Sequence, residues 1–189
     1  MTKYEKMRTA TVSFLKGRND YDVLENFAYA EQAHSGLRKD GVTPEFYHHL
    51  CMLNYARNLK ISVEERKLFN TILGHDLFED YNVLLPKSPQ NESILSKNGK
   101  NTSFYYENLS FDVYTSLVKG IDRVDNLSTM VNVFSLEKQQ RYITETREFV
   151  LPMLNKAKNF YPAEENAFRM IKHSILLMVD MWEGIRNEK

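Results

Sequence analysis

The apolar residues of this chain recur mostly at spacings of three and four, the repeat of a helix that buries one face, and only seven glycines and five prolines in 189 residues interrupt them. That pattern predicts an all-α fold, a compact single-domain helical protein with one long loop. A chain of this length supplies one sizeable core, and at 42% hydrophobic and 12% aromatic it has the side chains to fill it. Lys and Arg total 25 against 25 Asp and Glu, so no broad field draws the chain to nucleic acid or to an anionic membrane. No stretch approaches the roughly 18 apolar residues of a membrane span, and Met1 to Lys16 lacks a signal peptide's apolar block, so a cytoplasmic protein is expected. Cys51 is the only cysteine, which excludes an internal disulfide and a cysteine-built zinc site. Asn-x-Ser/Thr sequons such as those at Asn91 and Asn126 then read as chance.

Helix boundaries follow from caps. A first helix is expected from Asp20, its N-cap, through Val23, Leu24, Phe27, Ala28 and Glu31 to His34, with Gly36 ending it. Thr43-Pro44 reads as a cap and first turn, opening a helix through Phe46, Leu50, Leu53 and Ala56. A third helix starts near Ser62 and runs through Leu68, Phe69 and Ile72 to Phe78. From Tyr81 to Asn108, Pro86, Pro89, Gly99 and many polar residues leave little to bury, which predicts a long mobile loop over a site. Ser110 is the expected cap of a helix striped by Tyr114, Leu117, Val118, Ile121, Val124 and Leu127. Helical stretches over 136–159 and 163–186 follow, the last with Phe168, Ile171, Ile175 and Val179. Its Met170, Met178, Met181 and Trp182 read as a strip completing the core, a dimer face being the alternative.

The chemistry concentrates in His75-Asp76-Leu77-Phe78-Glu79-Asp80. On a continuous helix His75 sits above Glu79 and Asp76 above Asp80, which brings three carboxylates and an imidazole into one turn. Like charges this close raise one another's pKa and destabilise the helix end unless a divalent cation or a cationic ligand neutralises them. A solvated acidic helix end with a half-buried histidine is the plain alternative. Other residues of ligand type stand elsewhere: His48 and His49 one helix earlier, and Asp122, which interrupts the apolar stripe of Val118 to Val124. A carboxylate is costly to bury unless paired or bound to metal. Arg123 beside it is the simple ion-pair partner, although adjacent helix residues do not face each other. Imidazole with carboxylate suits Mn, Fe or Zn, and two of each leave positions open for water and substrate.

His48, the pair His75-Asp76 and Asp122 are spaced as in the HD superfamily of metal-dependent phosphohydrolases. Arg38-Lys39-Asp40-Gly41-Val42-Thr43-Pro44 followed by His48 resembles the RKDGTPYINH segment of RelA/SpoT-type (p)ppGpp hydrolases, and His75-Asp76-x-x-Glu79-Asp80 matches their HDxxED motif. Val118 to Leu127 resembles their KLADRLHNM segment, and Glu145 to Pro152 their ETLEIYAP stretch. Four blocks stand in order, and the resemblance spans about residues 20–158. The resemblance implies one HD-domain fold over 1–189, a metal, usually manganese, held by His48, His75, Asp76 and Asp122, and a catalytic acidic pair, Glu79 and Asp80, that orients or deprotonates the attacking water. It implies further that Arg38 and Lys39 pack on the nucleotide base and approach its phosphates, and that Asn126 contacts the nucleotide. His49 takes the place of the family's proline and is read as a neighbour.

The activity implied is that of a hydrolase-only small alarmone hydrolase, which releases pyrophosphate from the 3′ position of ppGpp or pppGpp. Roughly 30 residues follow the matching region, below the domain floor of about 50. The partner expected is a small nucleotide, with neither nucleic acid nor membrane. Two departures shift the substrate reading: Ser128 stands where the family has an arginine, and Tyr81 where it often has a threonine. A nucleotidase or phosphatase for another nucleotide such as NADPH is the alternative, and a binding protein without turnover a third, against which Glu79 and Asp80 argue. Lys87, Lys97, Lys100 and Lys119 are read as solvated, His34 as a cap or packing residue, and His173 as structural or exposed.

Overall fold

The computed structural model describes residues 1–38, 40–87, 92–97 and 99–187, so Lys39 and the Pro89 and Asn91 positions lie outside the described residues. The fold is all-α, as the periodicity predicts; one antiparallel bridge, Leu37 to Pro44, is the β contact found among the described residues. Two compact units divide the chain: Met1–Asn58 with Val63–Gly99, and Leu59–Ser62 with Lys100–Lys189.

In the first unit a helix that the apolar pattern leaves out, α1 (Lys3–Gly17), opens the chain. Its interior burial is limited to Thr11 and Leu15, too sparse a stripe to register as a period. The signal was at its start: the Glu5 N–H donates to Thr2 Oγ1 (3.1 Å) and the Thr2 N–H to Glu5 Oε2 (2.7 Å), a reciprocal cap that satisfies two otherwise unbonded donors. The helix expected from Asp20 is α2 (Tyr21–Ala33), which buries Val23, Phe27 and Ala30. Asp20 precedes it but does not cap it; the buried carboxylate pairs instead with Arg18 (2.9 Å) and Arg66. His34, not Gly36, ends the helix, its N–H bonding the Ala30 carbonyl (3.0 Å).

Thr43-Pro44 does not open the next helix, which is α3 (Tyr47–Asn58). Asp40 explains the delay. Its carboxylate accepts the N–H of Val42 (2.9 Å), the N–H of Thr43 (2.8 Å) and the Thr43 hydroxyl (2.6 Å), while Gly41 takes φ +69°. The Arg38 N–H reaches the Thr43 carbonyl (2.8 Å) and the Glu45 N–H the Gly36 carbonyl (2.9 Å), so residues 36–38 and 40–45 close on each other like a small hairpin. These bonds, the Thr43 hydroxyl's first, hold Asp40 down at about 2. The third expected helix is split into α4 (Glu65–Gly74) and α5 (Leu77–Tyr81). Leu68, Phe69, Ile72 and Leu73 of α4 are buried, with Phe69 edge-on to Phe14 (6.2 Å); each such side chain contributes about 1.5–3 kcal/mol on burial.

The segment expected as loop is partly helical: α6 (Glu92–Leu95) belongs to the first unit and α7 (Thr102–Leu109) to the second. Asn101 caps α7, accepting the Ser103 N–H (3.0 Å), and Tyr105, Tyr106 and Leu109 supply the buried face. Ser110 is not the cap of the long helix α8 (Val113–Val133). Asp112 fills that place by accepting the Thr115 N–H (2.8 Å), while Ser110 ends α7 with its hydroxyl on the Glu107 carbonyl (2.6 Å). Next come α9 (Leu136–Glu145), a π-turn over Thr146–Val150, α10 (Leu151–Phe160) and α11 (Glu165–Asn187). Ile171, Ile175, Val179 and Trp182 of α11 are buried as expected, but of the strip's methionines Met170 and Met181 are exposed at 49% and 66% and Met178 is half-buried, so of that strip Trp182 alone joins the core. His173 is exposed too.

Arg123 is the largest fully buried side chain. Its guanidinium lies 3.7 Å from the Tyr142 ring centroid and donates to the Tyr106 hydroxyl (3.2 Å) and to Thr146 Oγ1 (3.1 Å). Tyr106 in turn donates to Glu145 (2.5 Å). Gly120, one turn before, lets α8 approach its neighbours: a Cβ there would fall 2.8 Å from Ile171 Cγ2 and 2.9 Å from Leu154 Cδ2.

Two outcomes are expected. Gly120→Ala gains about 1 kcal/mol of helix propensity but loses about 1–3 kcal/mol to overpacking, so the urea midpoint should fall at unchanged slope; a rise would show that the contact yields freely. Burial pushes Tyr142 up to about 12, against the pull of Arg123. The unfolded tyrosine releases its proton near about 10, so the folded state keeps a proton that the unfolded state has lost. The stability it supports is therefore full below about 10 and declines as pH rises toward the folded value, which denaturant titrations from pH 9 to 12 of the native chain and Tyr142→Phe will show as a shallower decline in the variant.

Candidate metal centre

The centre is built where α4 stops. Gly74 is its last residue; His75 sits at the C-cap (φ −60°, ψ −34°), and Asp76 (φ −102°, ψ −12°) starts α5. The Asp76 carbonyl accepts the Asp80 N–H (2.8 Å), so that pair keeps helical spacing. His75 belongs to the preceding helix end and not to one continuous turn with Glu79, contrary to the expected single helix. The last carbonyls of a helix lack intrahelical donors, and here the Ile72 carbonyl lies 2.7 Å from His75 Nδ1. A carbonyl only accepts, so Nδ1 carries the proton and Nε2 is the ring's free-facing atom.

That Nε2 lies 3.0 Å from Asp76 Oδ2 and 3.3 Å from His48 Nε2. His48 is 7% exposed and His75 4%, whereas Asp76 is half-exposed. Among the described residues of this unit, His49, His75 and Asp76 also offer ligand atoms that all lie within 4.8 Å of one another. A cation beside His75 Nε2, held with the His48 imidazole or with the Asp76 carboxylate, is an acceptable partner for that atom. The donor set therefore fits a divalent transition ion, with imidazole and carboxylate ligands and a backbone bond orienting a ligand ring.

Glu79 and Asp80 sit at the exposed rim, on α5. Partial burial, then the carboxylates of Asp76 and Glu79, hold Asp80 above the ordinary carboxylate value. Glu79 Oε2 accepts the Lys97 N–H at 3.4 Å. Arg38 is half-buried on the Asp40-closed hairpin, and Lys39 lies outside the described residues. Three residues that sequence reasoning left aside also gather here. His34 is indeed a cap and packing residue: Nδ1 bonds the Ala30 carbonyl (2.9 Å), and its ring stands 4.4 Å from that of His49. Burial holds its imidazole below the ordinary value. Glu45 accepts the Tyr81 hydroxyl (3.0 Å), and Tyr81, pushed by partial burial and Glu45 to about 12, sets its ring edge against His34 (5.0 Å). No spacing rule pairs residues 45 and 81; only the closed hairpin makes that contact legible.

In the second unit Asp122 is 5% exposed on α8. Its partner is Lys119 (3.0 Å), one turn earlier, and not Arg123, whose guanidinium turns to Tyr106, Tyr142 and Thr146. Lys119 is thus paired rather than solvated; burial alone would lower its pKa, but Asp122 holds it well above the ordinary value. The Asn126 amide donates to the other Asp122 oxygen. In the first unit Lys87 is solvent-exposed, as expected, with Glu25 3.7 Å away on the surface. No protein-family model and no curated protein matches this chain.

A cation bound only by the folded chain stabilises it by mass action, about 2.7 kcal/mol at a hundredfold excess over Kd. Divalent manganese, iron or zinc should therefore raise the thermal midpoint of the metal-stripped protein, and His75→Ala should abolish the rise. An equal rise in the variant would place the ion elsewhere.

Proposed function

We propose that the chain is a divalent-metal-dependent phosphohydrolase whose substrate is a 3′-pyrophosphorylated guanine nucleotide, ppGpp or pppGpp. The observation that carries the reading is His75 Nε2, which lies 3.3 Å from His48 Nε2 and 3.0 Å from Asp76 Oδ2, with its ring held by a backbone carbonyl and the acidic pair Glu79 and Asp80 following on α5. Resemblance supplies Asp122 as the further carboxylate ligand, manganese as the ion and guanine as the base. A bound divalent ion supplies a lowered pKa for water and charge for the phosphoryl oxygens.

The chain's own groups divide the remaining tasks. Asp80, held above its ordinary value by partial burial and the neighbouring carboxylates, would take a proton from the attacking water and return it; Glu79 would orient that water. The water oxygen bonds to the phosphorus on the ribose 3′ oxygen, that phosphorus–oxygen bond breaks, and the 3′ oxygen leaves with a proton, giving a 3′-hydroxyl and pyrophosphate. Arg38 can stack on a purine and meet a phosphate with the same planar group, and Lys39 adds charge beside it. Asn126 is the nucleotide contact expected from the second unit.

A second reading keeps the centre and changes the substrate to another phosphorylated nucleotide such as NADPH. Ser128 favours it: the side chain is exposed and its hydroxyl donates to the Asp125 carbonyl (2.7 Å), so the position that holds an arginine in the resembled family offers no cation. Incubation of the manganese-loaded protein with ppGpp, NADPH and nucleoside monophosphates, with products identified by mass, separates the readings. Pyrophosphate from ppGpp is expected; orthophosphate from another member supports the second, and tight binding without product would leave a nucleotide-binding protein. In the same assay Asp76→Asn should lose both metal and turnover, Glu79→Gln turnover alone, and Arg38→Ala should raise KM with metal content unchanged. Normal turnover by Asp76→Asn would sink the site assignment.

A further inference from the structure

We propose that the outward face of α11 is a two-fold interface between two copies of this chain, packed antiparallel about Leu177. The proposal is independent of the metal-centre reading and of the hydrolysis ascribed to it.

α11 is apolar on two faces. Ile171, Ile175 and Val179 bury one of them. On the other, Met170, Leu177, Met181 and Ile185 are each between 49% and 66% exposed, with Ser174 and Gly184 between them. These positions recur at intervals of three and four, so they line one stripe rather than scatter. At about 1.5 Å per residue the stripe runs about 22 Å. Single exposed apolar side chains are ordinary, but a continuous stripe on a helix whose opposite face is already packed calls for a second neighbour.

Charge decides which neighbour. Arg169, His173 and Asp180 follow one another at helical spacings of four and seven, along one border of the stripe. The basic residues stand toward the N-terminal end and the carboxylate toward the C-terminal end. A copy related by a two-fold axis at Leu177 keeps this border on the same side and reverses its order, so Arg169 and His173 of each copy come alongside Asp180 of the other. A parallel copy would set Asp180 against Asp180 and Arg169 against Arg169. Glu165 reaches Arg169 at 2.8 Å and Arg147 reaches Asp180 at 3.5 Å, but with Arg169 66% and Asp180 68% exposed these are weakly held surface pairs.

The apolar residues match in the same register. Leu177 meets its own mate, Met181 comes level with His173, and Met170 comes level with Gly184, where a Cβ would meet nothing within 4 Å and a methionine finds room. One helix face against its own copy is a small interface, below about 1,200 Å² in total, so a reversible dimer of micromolar Kd is expected.

Sedimentation equilibrium of the full chain, from micromolar to several hundred micromolar, should show a monomer–dimer equilibrium. Leu177→Glu, which sets two carboxylates face to face at the axis, should raise Kd about tenfold or more. His173→Glu and Asp180→Arg should each weaken the dimer, and the two together should restore it. With Cys51→Ser as background, Leu177→Cys should form an interchain disulfide on oxidation, whereas Met170→Cys, about 21 Å along the axis from its mate, should not. A chain that stays monomeric throughout the range overturns the proposal and leaves the stripe to a different protein. A dimer that Leu177→Glu leaves intact, or a disulfide from Met170→Cys in place of the one from Leu177→Cys, overturns it as well. Should circular dichroism show Leu177→Glu unfolded, Met181→Lys takes its place, and the native equilibrium with the two cysteine variants decides.

Discussion

The hydrogen bond between His75 Nδ1 and the Ile72 carbonyl is the contact on which the centre depends. It uses an acceptor that every helix end leaves unbonded, so stopping α4 at Gly74 and aiming a ligand are one structural event. The stop also frees Asp76 to begin α5, which carries Glu79 and Asp80 at helical spacing from it. Were α4 continuous, the imidazole would point along the helix face with its neighbours, and Nε2 would have no reason to meet His48.

Charge is arranged in each unit by the same economy. Near-zero net charge leaves local pairing to decide which ionisable groups are buried. In the second unit Lys119 and Asn126 occupy both oxygens of Asp122, while Arg123 is enclosed by Tyr106, Tyr142 and Thr146. Burial of one charge type with a bonded partner is tolerable, whereas breaking such a pair is costly. The rim of the first unit is different: Glu79 and Asp80 are exposed enough to meet solvent, yet close enough to Asp76 for Asp80 to feel it.

Period and caps made much of this legible. The stripes of α8 and α11 are legible because Leu117, Val118 and Ile121, or Ile171, Ile175 and Val179, repeat at the helical interval and are buried. Failures occurred where local bonds override the period. α1 lacks a stripe, and its cap alone announces it; Asp40 diverts Thr43 from capping; Asp112 outcompetes Ser110 because its carboxylate, not the serine hydroxyl, reaches the helix N–H groups. At the centre, the sequence marks His48, His75 and Asp76 as candidate ligands, and the structure brings His75 close to each of the other two, with Glu79 and Asp80 following on α5. The Lys119 partner of Asp122 was not legible, since the charge adjacent in sequence drew attention from the one a helical turn away. Nor was the Glu45–Tyr81 contact, which depends on the hairpin's closure.

That hairpin has a kinetic corollary. Because Asp40 binds Val42 and Thr43 and the Leu37–Pro44 bridge ties the two sides of the turn together, a ligand that met Arg38 as proposed would have less chain to freeze, and less of the contact energy would be lost to ordering. Slow dissociation, rather than fast capture, is where such rigidity is felt. A loop closed by its own aspartate would thus lengthen the dwell time of any ligand held by Arg38, independently of the affinity supplied elsewhere.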